Sequence, residues 1–206
     1  MSRLEKFNNP FDIIKEFEEE LASYTGAPYA VMTDCCTHAL ELCFRINKVT
    51  YTEFTPRTYI SIPMMLIKLG IEYNFDHSQE VWSGQYQFHK TNIWDSARAL
   101  YPDMYKPGHM QCLSFGYNKP LQLGRGGAIL LDDKEKYLKL KRMCYDGRDL
   151  SITPWEKQEI FELGYHYKPT PEEAKWGLKL LGTHDTLPKY HEYPDLRKIT
   201  ITTSTS

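Results

Sequence analysis

Three short stretches of this chain hold groups that could do chemistry together. Ser114-Phe-Gly-Tyr-Asn-Lys119 is followed by Gly124-Arg-Gly-Gly127: an apolar run ending in a serine, a lysine shortly after it, and a flexible glycine run. A lysine amine attacks a carbonyl only after losing its proton, which burial beside apolar or cationic groups favours. An enclosed Lys119 would therefore suit imine formation and, once freed, proton transfer. Asp95 closes the apolar Thr91-Asn-Ile-Trp94 stretch, where an open sheet presents its ligand groups, and a carboxylate there suits a cationic ring nitrogen. The Thr33–Thr37 turn leads from an apolar run into a helical pattern, and the free N–H groups of a helix start suit a phosphate. Each piece also has an ordinary structural reading: Asp95 as a turn former, Lys119 as a solvated charge, Thr37 as an N-cap.

The elements that must position these groups can be read from periodicity. Asn9-Pro10 offers an N-cap and a first-turn proline, and Ile13, Ile14, Phe17, Leu21 and Tyr24 recur at helical spacing until Gly26. Tyr29–Met32 reads as a strand, followed by a tight loop and a helix through Leu40, Cys43 and Phe44. Ser61 and Pro63 open a further helix that Gly70 closes, before the alternating strand Ile71–Phe75. Thr91–Trp94, Gln111–Phe115 and Ala128–Leu131 read as strands, Lys134–Tyr145 and Pro171–Leu181 as helices. Residues 147–170 form a long irregular excursion, a length associated with function. Strands alternating with helices predict an α/β sheet with much parallel pairing.

The order and spacing of these pieces, from about Phe17 to Leu181, resemble the fold type I sugar aminotransferases known as the DegT/DnrJ/EryC1/StrS family, which use pyridoxal 5′-phosphate (PLP). The family's S-F-x-x-x-K with G-x-G-G downstream matches Ser114, Phe115, Lys119, Gly124, Gly126 and Gly127. Its phosphate-binding small-Gly-Thr turn matches Cys35-Cys36-Thr37, with Cys36 in place of the glycine; its threonine-aromatic pair matches Thr58-Tyr59, where Tyr59 is otherwise a buried strand aromatic. Its ring-nitrogen acid matches Asp95, and the Gln or His usual three residues on is here Arg98. Gly164-Tyr-His-Tyr-Lys168 resembles the segment whose asparagine reaches the neighbouring subunit's cofactor phosphate, with His166 at that place.

The resemblance implies Lys119 and Asp95 as catalytic residues, and Cys36, Thr37, Tyr59, Asp95, Arg98, Ser114, Lys119 and His166 as cofactor-binding residues, with no metal. It implies amino transfer from glutamate or glutamine to a keto sugar, nucleotide-linked and serving polysaccharide biosynthesis, through a Schiff base on Lys119. Arg98, as a fixed charge near the phenolic oxygen, would shift reaction preference. Two other readings stay open: a PLP enzyme acting on another small amine or amino acid, and a catalytically silent homologue serving as a partner subunit. The implied fold is a type I PLP-transferase large domain, a mostly parallel mixed sheet sandwiched by helices, and the implied assembly a homodimer with shared active sites, in which His166 or Lys168 approaches the partner's cofactor.

Bulk properties agree with such a reading. The 206 residues are 41% hydrophobic with a net charge of −2, which favours one compact domain and supplies no nucleic-acid footprint. Residues 1–182 are expected to form the PLP-binding domain and 183–206 a vestigial or partly disordered tail. The five cysteines fall in apolar stretches rather than at framework spacings, pointing to a reducing compartment. The longest apolar run, Ile62–Ile67, is too short for a bilayer, and no charged-then-apolar leader opens the chain; a cytoplasmic protein without membrane contact is expected.

Overall fold

The computed structural model describes residues 9–76, 78, 84–183 and 192–202. Helix α1 spans Pro10–Thr25, capped by the Asn9 side chain, which accepts from the Phe11 N–H, and ended by Gly26 in the left-handed region. Strand β1 (Tyr29–Thr33) leads into α2 (Cys36–Ile46), followed by β2 (Tyr51–Phe54), α3 (Ser61–Leu69), β3 (Glu72–Phe75), β4 (Tyr86–Gln87), β5 (Ile93–Asp95), β6 (Met110–Ser114), β7 (Gly127–Leu131), α4 (Lys134–Cys144) and α5 (Pro171–Leu180). A capping box, with Thr170 and Glu173 each bonding the other's backbone N–H, starts α5. Among the described residues no helix is long and apolar enough to cross a membrane.

The main sheet has the order β1-β7-β6-β5-β4, and β2 pairs with β3 in a separate two-stranded sheet. β5–β6 and β2–β3 are parallel; β1–β7, β6–β7 and β4–β5 are antiparallel. The α/β class with a mixed sheet agrees with expectation, while the described parallel share is smaller than the alternation implied, because β7 runs back between β1 and β6. β2 and β4 gave no clear sequence signal: both are short, and β4 is held by only two residues of pairing. The 147–170 excursion contains one short 3-10 turn, Trp155–Lys157. Of the expected tail, Tyr193 and Leu196 are buried; residues 184–191 and 203–206 lie outside the described set.

The central strands are apolar throughout because both faces are covered. Ala30 and Met32 of β1, Leu113 of β6, and Ala128 and Leu130 of β7 join Phe17, Leu21 and Ala174 in a core under α1 and α5. Val31, Cys112, Ile129 and Leu131, pointing the other way, join Leu40, Phe44, Leu66 and Leu140 under α2, α3 and α4. A fully buried Phe17 or Phe44 contributes about 1.5–3 kcal/mol through its burial. Since β7 is antiparallel to both β1 and β6, the strands β1, β5 and β6 run the same way. Their C-terminal residues Thr33, Asp95 and Ser114 therefore emerge at one edge of the sheet.

Candidate active site

That edge holds a cavity of about 370 Å³ whose wall includes Cys36, Thr37, Tyr59, Asp95, Ser114 and Lys119. Residues far apart in the chain meet because three codirectional strands end there, the position where open α/β sheets place their ligands. Two of the expected site residues are not on this wall. Arg98 is buried at the side, its guanidinium 5.6 Å from the centroid of the Tyr193 ring. His166 is exposed and bonds Asp146 at 3.0 Å, beside its bridge to Tyr145.

Lys119 sits in the turn after β6, where its N–H donates to the Gly116 carbonyl at 3.1 Å. Gly116 and Gly124 bridge to each other and close the loop at its base. The lysine is half-buried. Asp95 is 3% exposed, and its Oδ1 accepts from the Ala97 N–H at 2.9 Å. Burial pushes the Asp95 carboxyl above the usual carboxylate range; the Ala97 N–H, the Lys119 charge and the Tyr86 hydroxyl act against that push. Thr58, itself buried, shares a 3.1 Å hydrogen bond with that Tyr86 hydroxyl. An acid in so dry a place suits a cation, and the Lys119 charge is the positive one that acts to lower its value.

The start of α2 forms another part of the wall. Its cap is Cys35 rather than Thr37: the Cys35 Sγ accepts from the His38 N–H at 3.4 Å. Thr37, one residue inside, shares a 2.8 Å hydroxyl contact with Ser61 at the start of α3. The Cys36 side chain turns toward the core, with Sγ 3.7 Å from the Cys112 carbonyl. Burial pushes that thiol well up, so Cys36 brings no thiolate to the pocket. With the first-turn N–H groups unpaired within the helix and three hydroxyls nearby (Thr37, Ser61, Ser114), this end of the cavity suits a phosphate.

The loop before α2 is latched from behind. Arg125 donates to the Asp34 carboxylate at 2.8 Å and to its carbonyl at 3.1 Å, and the Asp34 N–H donates to the Tyr167 carbonyl at 2.8 Å. Asp34 also bonds His38 at 2.7 Å, and the His38 ring stacks 3.7 Å from Tyr167. Burial works to lower the His38 value, but hydrogen bonds and charge from Asp34 and Cys35 outweigh it and raise it to about 9. Asp34 itself is held below the usual range: burial raises it, and His38 and Arg125 together more than reverse that. Gly127 makes this packing possible, since a Cβ there would lie 2.5 Å from the Cys36 nitrogen.

Sequence reasoning did not anticipate Tyr86 as the neighbour of Asp95, or Tyr117, Asn118 and Tyr193 as cavity walls. Tyr117 and Asn118 were legible in principle, being next to Lys119. Tyr193 was not, because it comes from a segment with little apolar content.

The model of the DegT/DnrJ/EryC1/StrS aminotransferase family matches residues 3–78 and 93–189. No curated protein sequence matches the chain. Among solved structures it is similar to 3-amino-5-hydroxybenzoic acid synthase (TM-score 0.65, 20% identity, 84% of this chain and 56% of that one). It is also similar to PseC, the Helicobacter pylori aminotransferase of pseudoaminic acid biosynthesis (TM-score 0.65, 17% identity, 81% and 56%). A third is DesI solved with its TDP-sugar product (TM-score 0.62, 19% identity, 81% and 52%). At these identities the likeness establishes a shared fold, and the chain spans little more than half the length of these relatives. By the extent of the family match, joined to the fold and the cavity just described, the chain belongs to the DegT/DnrJ/EryC1/StrS aminotransferase family.

Proposed function

We propose that this chain is a PLP-dependent sugar aminotransferase that carries its cofactor on Lys119, taking an amino group from glutamate or glutamine and delivering it to a nucleotide-linked keto sugar. The observation that carries this reading is that Lys119 and the buried Asp95 share one cavity, with the lysine charge acting on the acid. The residues present fit the cofactor: an acid for the ring nitrogen, an amine for the aldehyde, an aromatic face in Tyr59, and a helix start with hydroxyls for the phosphate. When bound, PLP supplies an electron sink for cleavage of a bond at the amine-bearing carbon.

The chain's own residues do the rest. An ionised Asp95 favours a protonated ring nitrogen by opposite charge, in a site dry enough to strengthen that attraction. Lys119 Nζ would be the group placed to take and return a proton. Thr37, Ser114 and the N–H groups of Cys36 and Thr37 hold a phosphate in place, and the Tyr59 ring orients a flat group against the opposing wall. The dimer in which His166 or Lys168 reaches the partner's cofactor belongs to the same proposal, and the exposure of His166 is compatible with it. An active monomer by light scattering would defeat that part.

The relative solved with a TDP-sugar product supports a nucleotide-linked acceptor. The cavity volume of about 370 Å³ lies near the lower end of the roughly 300–1,000 Å³ of ligand pockets, which favours a second reading with a compact amine or amino acid as substrate. Purified protein given glutamate and either a TDP-linked keto sugar or a small keto acid separates the two. Amino transfer to the sugar, lost in Lys119→Ala, supports the first; transfer confined to the keto acid supports the second; none to either removes both.

A further inference from the structure

The C-terminal segment returns to the cavity and is fixed there. The Leu196 N–H donates to the Pro56 carbonyl at 3.0 Å, and Arg57 Nη1 donates to the Tyr193 carbonyl at 3.3 Å. Both anchors lie in the Pro56–Tyr59 turn that presents Tyr59 to the pocket. Tyr193 is 8% exposed and lines the cavity, its ring 6.1 Å from that of Tyr59 at 57°. Behind it lies Arg98, 4% exposed, with its Nε lacking a hydrogen-bond partner among the described residues. A guanidinium buried in this way depends on whatever charge compensation its surroundings give, and among the described residues the Tyr193 ring face, 5.6 Å away, supplies some of it. Tyr193 thus contacts a buried cation that is off the cavity wall and is itself part of that wall.

We infer that Tyr193 is a positioning residue of this pocket: with Tyr59 it forms an aromatic corner that holds a flat, phosphate-bearing ring toward Asp95 and Lys119, and Arg98 acts on the occupant only through Tyr193. The inference rests on the cofactor-pocket reading above. It gives Arg98 a role that its place in the sequence, three residues past Asp95, does not convey.

Pyridoxine 5′-phosphate is a suitable probe because it lacks the aldehyde and cannot attach to Lys119, so calorimetric titration of the full chain reports pocket binding alone. Tyr193→Ala should bind it about tenfold more weakly than the wild type, and Tyr193→Phe within about twofold, since the ring and not the hydroxyl does the holding. Arg98→Met should weaken binding a few-fold in the wild-type background and cause no further loss when combined with Tyr193→Ala. Tyr193→Leu, which keeps apolar bulk in the wall, guards against simple unfolding and should still bind several-fold more weakly, with an unchanged urea midpoint. Wild-type binding together with unchanged affinity in Tyr193→Ala and Tyr193→Leu overturns the inference and leaves the cofactor reading standing. So does an Arg98→Met loss that persists in full in the Tyr193→Ala background. Absence of wild-type binding overturns the cofactor reading, and the role of Tyr193 with it.

Discussion

Gly127 is where the glycine run touches the floor of the pocket, and replacing it by alanine tests whether that contact shapes the site. A Cβ there would lie 2.5 Å from the Cys36 nitrogen, 2.6 Å from the Cys35 carbonyl carbon and 2.9 Å from the Cys35 oxygen. Ordinary contact needs about 3.5–4 Å, so β7 and the start of α2 must separate by about 1 Å. All three atoms are main chain and cannot rotate away, which places the cost toward the upper end of the roughly 1–3 kcal/mol of overpacking. With a urea m-value of about 2 kcal/mol/M, the unfolding midpoint should fall by about 1–1.5 M at unchanged m. The same separation moves the Cys36 and Thr37 N–H groups, so affinity for PLP should fall together with stability. Gly116→Ala is the control: its Cβ would meet only the Lys119 Cγ at 3.7 Å, and the stability should stay within about 0.5 kcal/mol of the wild type. A Gly127→Ala protein with wild-type midpoint and wild-type PLP affinity would refute the account of how the pocket floor is built.

Asp95→Asn should spare the fold, because an amide oxygen can still accept from the Ala97 N–H and a neutral group is cheaper to bury. Loss of the opposite charge lowers a ring-nitrogen pKa by about 1–3 units, so amino transfer should fall roughly 10- to 1,000-fold, read from steady-state rates beside a thermal melt. Lys141→Met leaves the Glu18 carboxylate, which it holds at 2.7 Å, buried without its counter-ion, and should cost about 3–5 kcal/mol at neutral pH in a denaturant titration. Burial raises the Glu18 value; a carboxyl raised on folding gives up stability as pH rises through its folded value, so the mutant's deficit should shrink on acidification, and a pH-independent deficit would contradict this. His38 is raised to about 9 in the folded state, so its stabilising contribution is complete below about 6.5 and lost as pH rises through 9. Melting of His38→Asn should therefore fall short of the wild type at pH 6 and converge with it near pH 10; equal curves at pH 6 would count against the Asp34–His38 pairing.

Helices α1 and α5 could be read in advance because cap, proline and apolar stripe agree at Asn9-Pro10 and at Thr170-Pro171. The buried strands β6 and β7 could be read because both faces are apolar, which leaves no other place for such runs. Strand direction could not: antiparallel pairing of β7 with both neighbours follows from the loop that carries Lys119 and the glycine run, and local composition does not encode it. That Lys119, Asp95, Ser114, Thr37 and Tyr59 line one cavity was legible because most of them sit at a strand end or helix start with recognisable spacing. Arg98 was read as facing the cofactor from its place after Asp95, and the structure leaves it off the cavity wall, with its guanidinium 5.6 Å from the centroid of the wall residue Tyr193. Tyr86, the other neighbour of Asp95, comes from a two-residue strand with too little pattern to read.

The central claim is that the Lys119 amine and the Asp95 carboxylate act on one bound PLP. Purified protein incubated with PLP, treated with borohydride, digested and mapped by mass spectrometry tests it directly. The account predicts a reduced pyridoxyl group on the peptide containing Lys119, a visible absorbance band that borohydride abolishes, and neither in Lys119→Ala. A pyridoxyl group scattered over exposed lysines at equal yield, with no band lost in Lys119→Ala, would contradict it.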